Sequence, residues 1–345
     1  MRKGNPYGTH RVIEPKGLLP QPAEKIDNDM EIFDNEVLID VEVLNIDSAS
    51  FTQIEEEAGG DEGKIAEIMT GIVARRGKHH NPVTGSGGML IGRVEKIGPN
   101  WKGKTPLQVG DRLATLVSLS LTPLRIDKIK KIHKDIDQVE IDGKAILFES
   151  GIFAVLPDDL PQTLSLAVLD VAGAAAQTAK LVKPGDKVVI IGAGGKSGLL
   201  CLYEAKKRAG VTGQVIGIAP REKSMKRAES TGYCDVALMA DASDAIDIME
   251  KVEEVTGGAM ADVTINCVNI PNTELSSILA TRDGGIVYYF SMATSFTAAA
   301  LGAEGVGKDV TMIVGNGYTK DHAAISLNIM RESTVLRKIF EDLYT

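Results

Sequence analysis

The segment Val188–Leu202, VVIIGAGGKSGLLCL, sets a glycine-dense turn between two apolar runs. VVII reads as a buried strand and KSGLLCL opens a helix. The turn then presents backbone N–H groups at a helix amino terminus, which is a site for phosphate. Gly192 permits the tight turn, Gly194 lets the backbone approach a pyrophosphate, and Gly198 lets the helix pack close to the sheet. Gly195, Lys196 and Ser197 complete the cradle. The spacing is G-x-G-G-x-x-G, one residue off G-x-G-x-x-G. Alone, such a motif serves equally well as a ligand-free turn, so its surroundings decide.

The turn heads a train of similar units. TLSLAVLDVAGAAAQTAKLV (163–182) reads as one helix stopped by KPG (183–185). KVVII, QVIGIA, DVALM, DVTINCV and GGIVYYF read as strands, with helices between them. That alternation requires right-handed crossovers and a doubly wound parallel α/β sheet. The first half differs. VLIDVEVLNI (37–46), GMLIGRVEKIG (88–98) and DRLATLVSLSLTPL (111–124) are short apolar runs broken by Gly, Pro and Asp, expected to form strands closing into a small barrel. A long helix is expected from Tyr318. The expected domains are 1–160, β-rich and completed by the helix of 318–345, and 161–317, the nucleotide-binding domain.

A dinucleotide site for NAD usually carries an acid at the end of its second strand, about 20 residues past the glycines. QVIGIAPREK offers Ala219, Pro220 and Arg221 there, with Glu222 one step later. The missing acid and the nearby cation lean towards NADP being accepted beside NAD. The plainer alternative makes Arg221 and Glu222 the solvated first turn of a helix. Cys267 and Val268, at the end of DVTINCV, are further candidates for cofactor contact, although a packing role suits Cys267 as well.

Composition excludes several partners. The formal net charge is −9, no long basic run occurs and aromatic residues make up only 4%. Nucleic acid and anionic membranes are poor fits to such a chain. Cys201, Cys234 and Cys267 are isolated, without a CxxC or Cys/His cluster, so neither a disulfide framework nor a structural zinc is expected, and a reducing cytoplasm is. No apolar stretch approaches the roughly 20 residues that span a bilayer.

The segments VLIDVEVLNIDSASF, GMLIGRVEKIG, VGDRLATL, LVKPGDKVVIIGAGG and DVTINCV together resemble the medium-chain dehydrogenase/reductase superfamily. The resemblance implies a GroES-like β-barrel catalytic domain beside a Rossmann domain, and pairing of sheet edges into a homo-oligomer, a dimer or tetramer. In zinc members of that superfamily a Cys and a His-Glu pair stand where this chain has Asp47, Gly88 and Met89, so no metal is expected. HNPVTGSGGMLIGRVEKIG (80–98), LNIDSASF (44–51), GAGGKSG (192–198) and GNGYTKDHAAISLNIMRES (315–333) resemble, more narrowly, the L-erythro-3,5-diaminohexanoate dehydrogenase family of lysine fermentation. That resemblance implies oxidative deamination of the 3-amino group to give 5-amino-3-oxohexanoate, ammonia and reduced nicotinamide, with NAD the usual coenzyme.

Amine chemistry suits the residues. Hydride loss from an amine carbon leaves an iminium cation, which a carboxylate stabilises and a metal dication does not. Asp47 is the candidate carboxylate, expected to face the nicotinamide, with Ser48 beside it. His80 is the candidate proton shuttle, titrating about pH 6.5 if unperturbed. Asn81, Thr84 and Ser86, in HNPVTGSGG, are candidates for holding the substrate, and Asp170 is a further candidate acid. Bland readings stand beside these. Asp47 serves as a cap for a helix beginning at Ser48, His79 and His80 as exposed loop residues, Asn81-Pro82 as a turn, and Glu55 to Glu57 as a solvated face. Asp170 faces either a cleft or a partner in the core, and Asp321 and His322 begin the terminal helix. Two rival functions are a zinc-free NADPH-dependent quinone or alkene reductase and a non-catalytic nucleotide-binding protein.

Overall fold

The computed structural model describes residues 1–315 and 317–345. The chain divides into two compact units, Met1–Asp159 and Leu160–Thr345.

In the first unit a short pair, β1 (Val12–Glu14) and β2 (Lys25–Ile26), precedes β3 (Glu36–Asn45). Two helices follow: α1 (Ser48–Ala58), which begins at Ser48 as the cap reading of Asp47 had it, and α2 (Glu62–Arg76), where only strands and turns were expected. Then come β4 (Met89–Ile97), β5 (Arg112–Thr115), β6 (Leu124–His133), β7 (Gln138–Phe148) and β8 (Phe153–Val155). The main sheet has the order β6-β7-β3-β4-β5-β8, with antiparallel neighbours. Alternate β3 residues Val37, Ile39 and Val41 are buried in one core with Phe51 and Ile54 of α1 and Ile65, Met69, Ile72 and Val73 of α2. These helical positions recur at intervals of three and four residues, which gives each helix one apolar stripe. Burying such a stripe contributes roughly 25 cal/mol for each Å2 of apolar area.

The second unit holds α3 (Gln162–Leu169), α4 (Ala172–Leu181), β9 (Lys187–Ile191), α5 (Lys196–Ala209), β10 (Gln214–Ala219), α6 (Glu222–Ser230), β11 (Val236–Met239) and α7 (Ala245–Thr256). It continues with β12 (Ala261–Asn266), α8 (Glu274–Ala280), β13 (Thr281–Tyr289), α9 (Phe296–Val306), β14 (Thr311–Val314), α10 (His322–Glu332) and α11 (Thr334–Tyr344). The parallel sheet has the order β11-β10-β9-β12-β13-β14. Val188 to Ile191 of β9 are all buried, as a central strand covered on both faces requires. Strand order reverses between β9 and β12, so the carboxyl ends of these strands flank the crevice where such sheets bind ligands.

Three expectations change. The helix of 163–182 is two helices, bent by 56° at Asp170 and Val171. The helix expected from Tyr318 is likewise two, because the Ser333 hydroxyl accepts from the Leu336 N–H at 3.1 Å and starts a new helix. Both terminal helices pack on α3 and α5 in the second unit, so they do not complete the first. Among the described residues no single helix is long and apolar enough to cross a membrane.

Candidate active site

In the first unit β3 delivers the chain to Asp47. The Asp47 carbonyl accepts from the N–H groups of Ser50 and Phe51 at 2.8 and 2.9 Å, so the backbone begins α1 while the side chain makes no capping bond. The carboxylate is exposed, and its Oδ2 accepts the Gly87 N–H at 3.1 Å. The cap reading therefore fails for the side chain. Ser48 turns away and donates to Asp137 Oδ2 at 2.5 Å, in the turn between β6 and β7. That tie makes Ser48 a turn brace.

Ser50, which the sequence did not single out, takes the place expected of Ser48. It is buried, and its hydroxyl lies 2.6 Å from Thr84 Oγ1 and 2.5 Å from Ser86 Oγ. Thr84 and Ser86 are 3.2 Å apart, which closes a triangle of hydroxyls. Asn81 organises the loop beneath them. Its Nδ2 donates to Gln53 Oε1 at 2.8 Å and its Oδ1 accepts from the Val83 N–H at 2.8 Å. Asn81 is buried and engaged in this way, so it braces the loop that carries the hydroxyls.

His79 is fully buried, contrary to its reading as a loop residue, and neither ring nitrogen has a hydrogen-bond partner among the described residues. Burial pushes its pKa down to about 4, so it is neutral at pH 7. His80 is half-buried and its Nδ1 lies 3.3 Å from an Arg76 guanidinium nitrogen. Burial, then the charges of Lys78 and Arg76, lower its pKa, so an ordinary titration midpoint does not apply. Gly88 has φ +98°, and a Cβ there would meet the Asn45 carbonyl oxygen at 2.1 Å. A ligating side chain does not fit at that position.

In the second unit the glycine turn lines a cavity of about 490 Å3 with Ala219, Pro220, Arg221, Lys223, Ser224, Arg227, Cys267, Val268 and Asn269. These come from the carboxyl ends of β9, β10 and β12, where the reversal of strand order puts a crevice, and from α6, which supplies Lys223, Ser224 and Arg227. Gly192 has φ +88°, the left-handed backbone that the turn needs. A Cβ at Gly198 would meet the Gly192 carbonyl oxygen at 2.2 Å, so helix and turn are in close contact. Gly194 lines the cavity too and has a packing part besides. A Cβ there would meet the Ser224 carbonyl oxygen at 2.2 Å, so its bareness serves packing against α6. At Gly195 a Cβ would meet only the Gly192 oxygen, at 3.4 Å, so Gly195 is the open approach. Gly195 precedes α5 without a side-chain cap, which leaves the amides of the first turn, at Lys196, Ser197 and Gly198, facing outward for anionic oxygens. This cradle fits a dinucleotide.

Three cations, Arg221, Lys223 and Arg227, share that cavity with no carboxylate among its lining residues. Arg227 donates to the Gly194 carbonyl at 2.8 Å and fixes the turn. Asp170 is exposed at the bend between α3 and α4, not set against a core partner, and it accepts from Lys196 Nζ at 3.0 Å. Asp170 is thereby tied to the glycine turn. Among the described residues no group of three or more His, Cys, Asp or Glu side chains is placed to hold a metal ion.

Residues 10–157 match the family model described as the L-erythro-3,5-diaminohexanoate dehydrogenase N-terminal domain, and residues 197–314 match one described as zinc-binding dehydrogenase. The chain is 64% identical over 342 residues to L-erythro-3,5-diaminohexanoate dehydrogenase of Acetoanaerobium sticklandii, covering 99% of each chain. It is 64% identical over 344 residues to the enzyme of that name from Fusobacterium nucleatum subsp. nucleatum, covering 100% of each. Among solved structures, a mycobacterial protein in complex with NADPH matches with a TM-score of 0.53 at 17% identity, over 93% of this chain and 85% of that one, and so shares its fold. The fold is that of the medium-chain dehydrogenases and reductases, and the chain belongs to the L-erythro-3,5-diaminohexanoate dehydrogenase family.

Proposed function

We propose that the protein oxidatively deaminates L-erythro-3,5-diaminohexanoate to 5-amino-3-oxohexanoate and ammonia, using NAD or NADP, as a step of lysine fermentation. The observation that carries this reading is the exposed Asp47 carboxylate, uncommitted to helix capping and held, among the described residues, by one bond from the Gly87 N–H.

The substrate amine reaches the site as an ammonium, and a carboxylate attracts it and accepts its proton. The now neutral amine carbon gives up a hydride, which the nicotinamide takes when bound. Once that proton has passed from the carboxylate to solvent, the restored Asp47 charge offsets the iminium that remains. Water adds to the iminium carbon, and expulsion of ammonia leaves the ketone. His80, neutral at pH 7, is placed on the same loop as Thr84 and Ser86 to move the protons of this second half. The hydroxyl triangle and nearby N–H groups hold the polar ends of a substrate that carries a second ammonium and a carboxylate. Gly192, Gly195, Lys196, Ser197, Gly198 and the ends of β10 and β12 hold the coenzyme. No step calls for a metal.

The test is the rise in absorbance of reduced nicotinamide when NAD or NADP is mixed with 3,5-diaminohexanoate, before and after chelator treatment, with a quinone as control. Turnover of the diamino acid that survives chelation supports the reading. Turnover of the quinone alone overturns it.

A further inference from the structure

Two thiols with no part in the proposed chemistry meet behind the coenzyme cradle. Cys201 Sγ and Cys267 Sγ are 3.8 Å apart. Cys201 is buried on α5, the helix whose amino terminus is the glycine turn. Cys267 follows β12, is only partly buried and lines the nucleotide cavity. Both belong to the apolar cluster that contains Val188, Ile190, Ala193, Ile265 and Tyr288. Of the two residues Cys267 is the one that borders the cavity, so the cavity is the side from which a small oxidant would approach the pair.

The same two residues bracket the turn. The Cys267 N–H donates to the Ile191 carbonyl at 2.9 Å. A Cβ at Gly192 would meet the Cys267 carbonyl carbon at 3.3 Å and Val268 Cγ1 at 3.2 Å, so the backbone after β12 lies against the turn. A disulfide holds its sulfurs about 2.05 Å apart, far closer than these thiols. Closing that gap moves α5, the segment after β12, or both, and each borders the cradle.

We propose that Cys201 and Cys267 form a reversible disulfide that disables dinucleotide binding. This rests on the cavity being the coenzyme site. With a peroxide as oxidant, the Cys267 thiolate attacks one peroxide oxygen and becomes a sulfenic acid, and the first water leaves. The Cys201 sulfur then attacks the Cys267 sulfur and expels the second water. In sum two thiols and one hydrogen peroxide give one disulfide and two waters, the sulfurs losing two electrons to the peroxide. Contact with Cys201 and burial both hold the Cys267 thiol well above its ordinary pKa, so the oxidation is slow at neutral pH and quickens as pH rises. A bound dinucleotide covers Cys267 and protects it.

The experiment treats the intact protein with hydrogen peroxide, then counts thiols after denaturation and titrates NADH by its fluorescence. The reduced chain has three free cysteines. Peroxide should leave only the Cys234 thiol, raise the NADH Kd by about tenfold or more, and be reversed by dithiothreitol. NADH added beforehand should preserve all the thiols. Cys201→Ser, whose changed side chain lies outside the cavity lining, should bind NADH as the unmodified protein does and form no bridge on oxidation, with melting curves confirming that it folds. Three thiols surviving peroxide, or a bridged protein with unchanged NADH affinity, overturns the proposal. If untreated protein does not bind NADH at all while its two thiols are still lost, the coenzyme reading has failed and the pairing has not.

Discussion

Asp47 and Gly87 are joined by one hydrogen bond of 3.1 Å across 40 residues of sequence, from the Gly87 N–H to Asp47 Oδ2. The bond fixes the carboxylate beside the loop that carries Thr84 and Ser86, and Oδ1 has no donor among the described residues. Asparagine at this position keeps the bond through its amide oxygen and loses only the charge. Asp47→Asn should therefore lower kcat/KM by about 10²–10⁴-fold, with coenzyme affinity and Tm unchanged. Steady-state kinetics beside melting curves decide it. Near-normal turnover would reduce Asp47 to a loop brace and make Asp170 the next acid to test.

The lowered pKa of His80 sets the pH dependence. Its folded value lies below the ordinary 6.5, so it loses its proton at a lower pH than a free histidine does. If the neutral ring is the working form, activity should hold through pH 6.5 and fall only further into acid. His80→Ala should reduce turnover and flatten that acid limb. A pH profile of kcat for both proteins reads this out, and an acid limb unchanged in the variant would assign it to another group.

The glycines of the turn should separate by variant. Gly195→Val places its side chain in the open approach, so it should abolish NADH binding with little change in Tm. Gly194→Val forces a collision with the Ser224 backbone and should lower Tm as well as binding. Fluorescence titration and calorimetry on the pair test the assignment. Equal destabilisation by both would mean that the turn tolerates no side chain anywhere.

Coenzyme choice should follow the cations of the cavity. Arg221→Ala is expected to weaken NADP binding more than NAD binding, since only NADP brings a 2′-phosphate. Paired titrations with both reduced coenzymes measure the difference. Equal losses would put Arg221 away from the ribose.

A buried cluster near the amino terminus should govern acid stability. Glu36 accepts from Arg11 Nε and from an Arg11 terminal nitrogen, both at 2.7 Å, and from the Phe33 N–H at 2.9 Å. Burial pushes the carboxyl up, but hydrogen bonds from Arg11 and His10 outweigh it and hold the pKa at about 2, against an ordinary 4.5. The folded value is depressed, so the stabilisation is complete above pH 4.5 and is lost as pH falls from there towards 2. Its size is on the order of 3 kcal/mol. Urea melts at pH 7 and pH 3 should show that loss in the unmodified protein and a smaller one in Glu36→Gln. The same slope in both would exclude Glu36 as its source.

The parallel sheet was legible because β9, β10 and β12 are apolar on both faces and glycines end α5 and α7. In the first unit, α2 carried a readable signal. Ile65, Met69, Ile72 and Val73 keep helical spacing, and Asp61 accepts from the Lys64 N–H at 2.9 Å as its cap. The bend at Asp170 had no such mark, since helix-compatible residues run through it and only the Lys196 ion pair and neighbouring packing show the break. The site was half legible for a related reason. Residue type pointed to Asp47, Thr84 and Ser86, and the position of the glycine turn pointed to the cradle. Ser50 gave no sign, because a serine inside a helix looks like any other until distant chain folds over it. Gly194 and Gly195 are alike in sequence and differ only in what stands opposite each.

The triangle of Ser50, Thr84 and Ser86 has a property that a charged pair lacks. Each hydroxyl both gives and takes a hydrogen bond, so the three can circulate in either sense around the ring, and rotating the O–H bonds reverses the direction without moving a heavy atom. The ring therefore carries no fixed polarity of its own. An arriving carboxylate turns an O–H towards itself, and an arriving ammonium turns a lone pair. A surface of this kind suits a zwitterionic guest, because it answers either end of the molecule and leaves the choice of orientation to the charged groups around it.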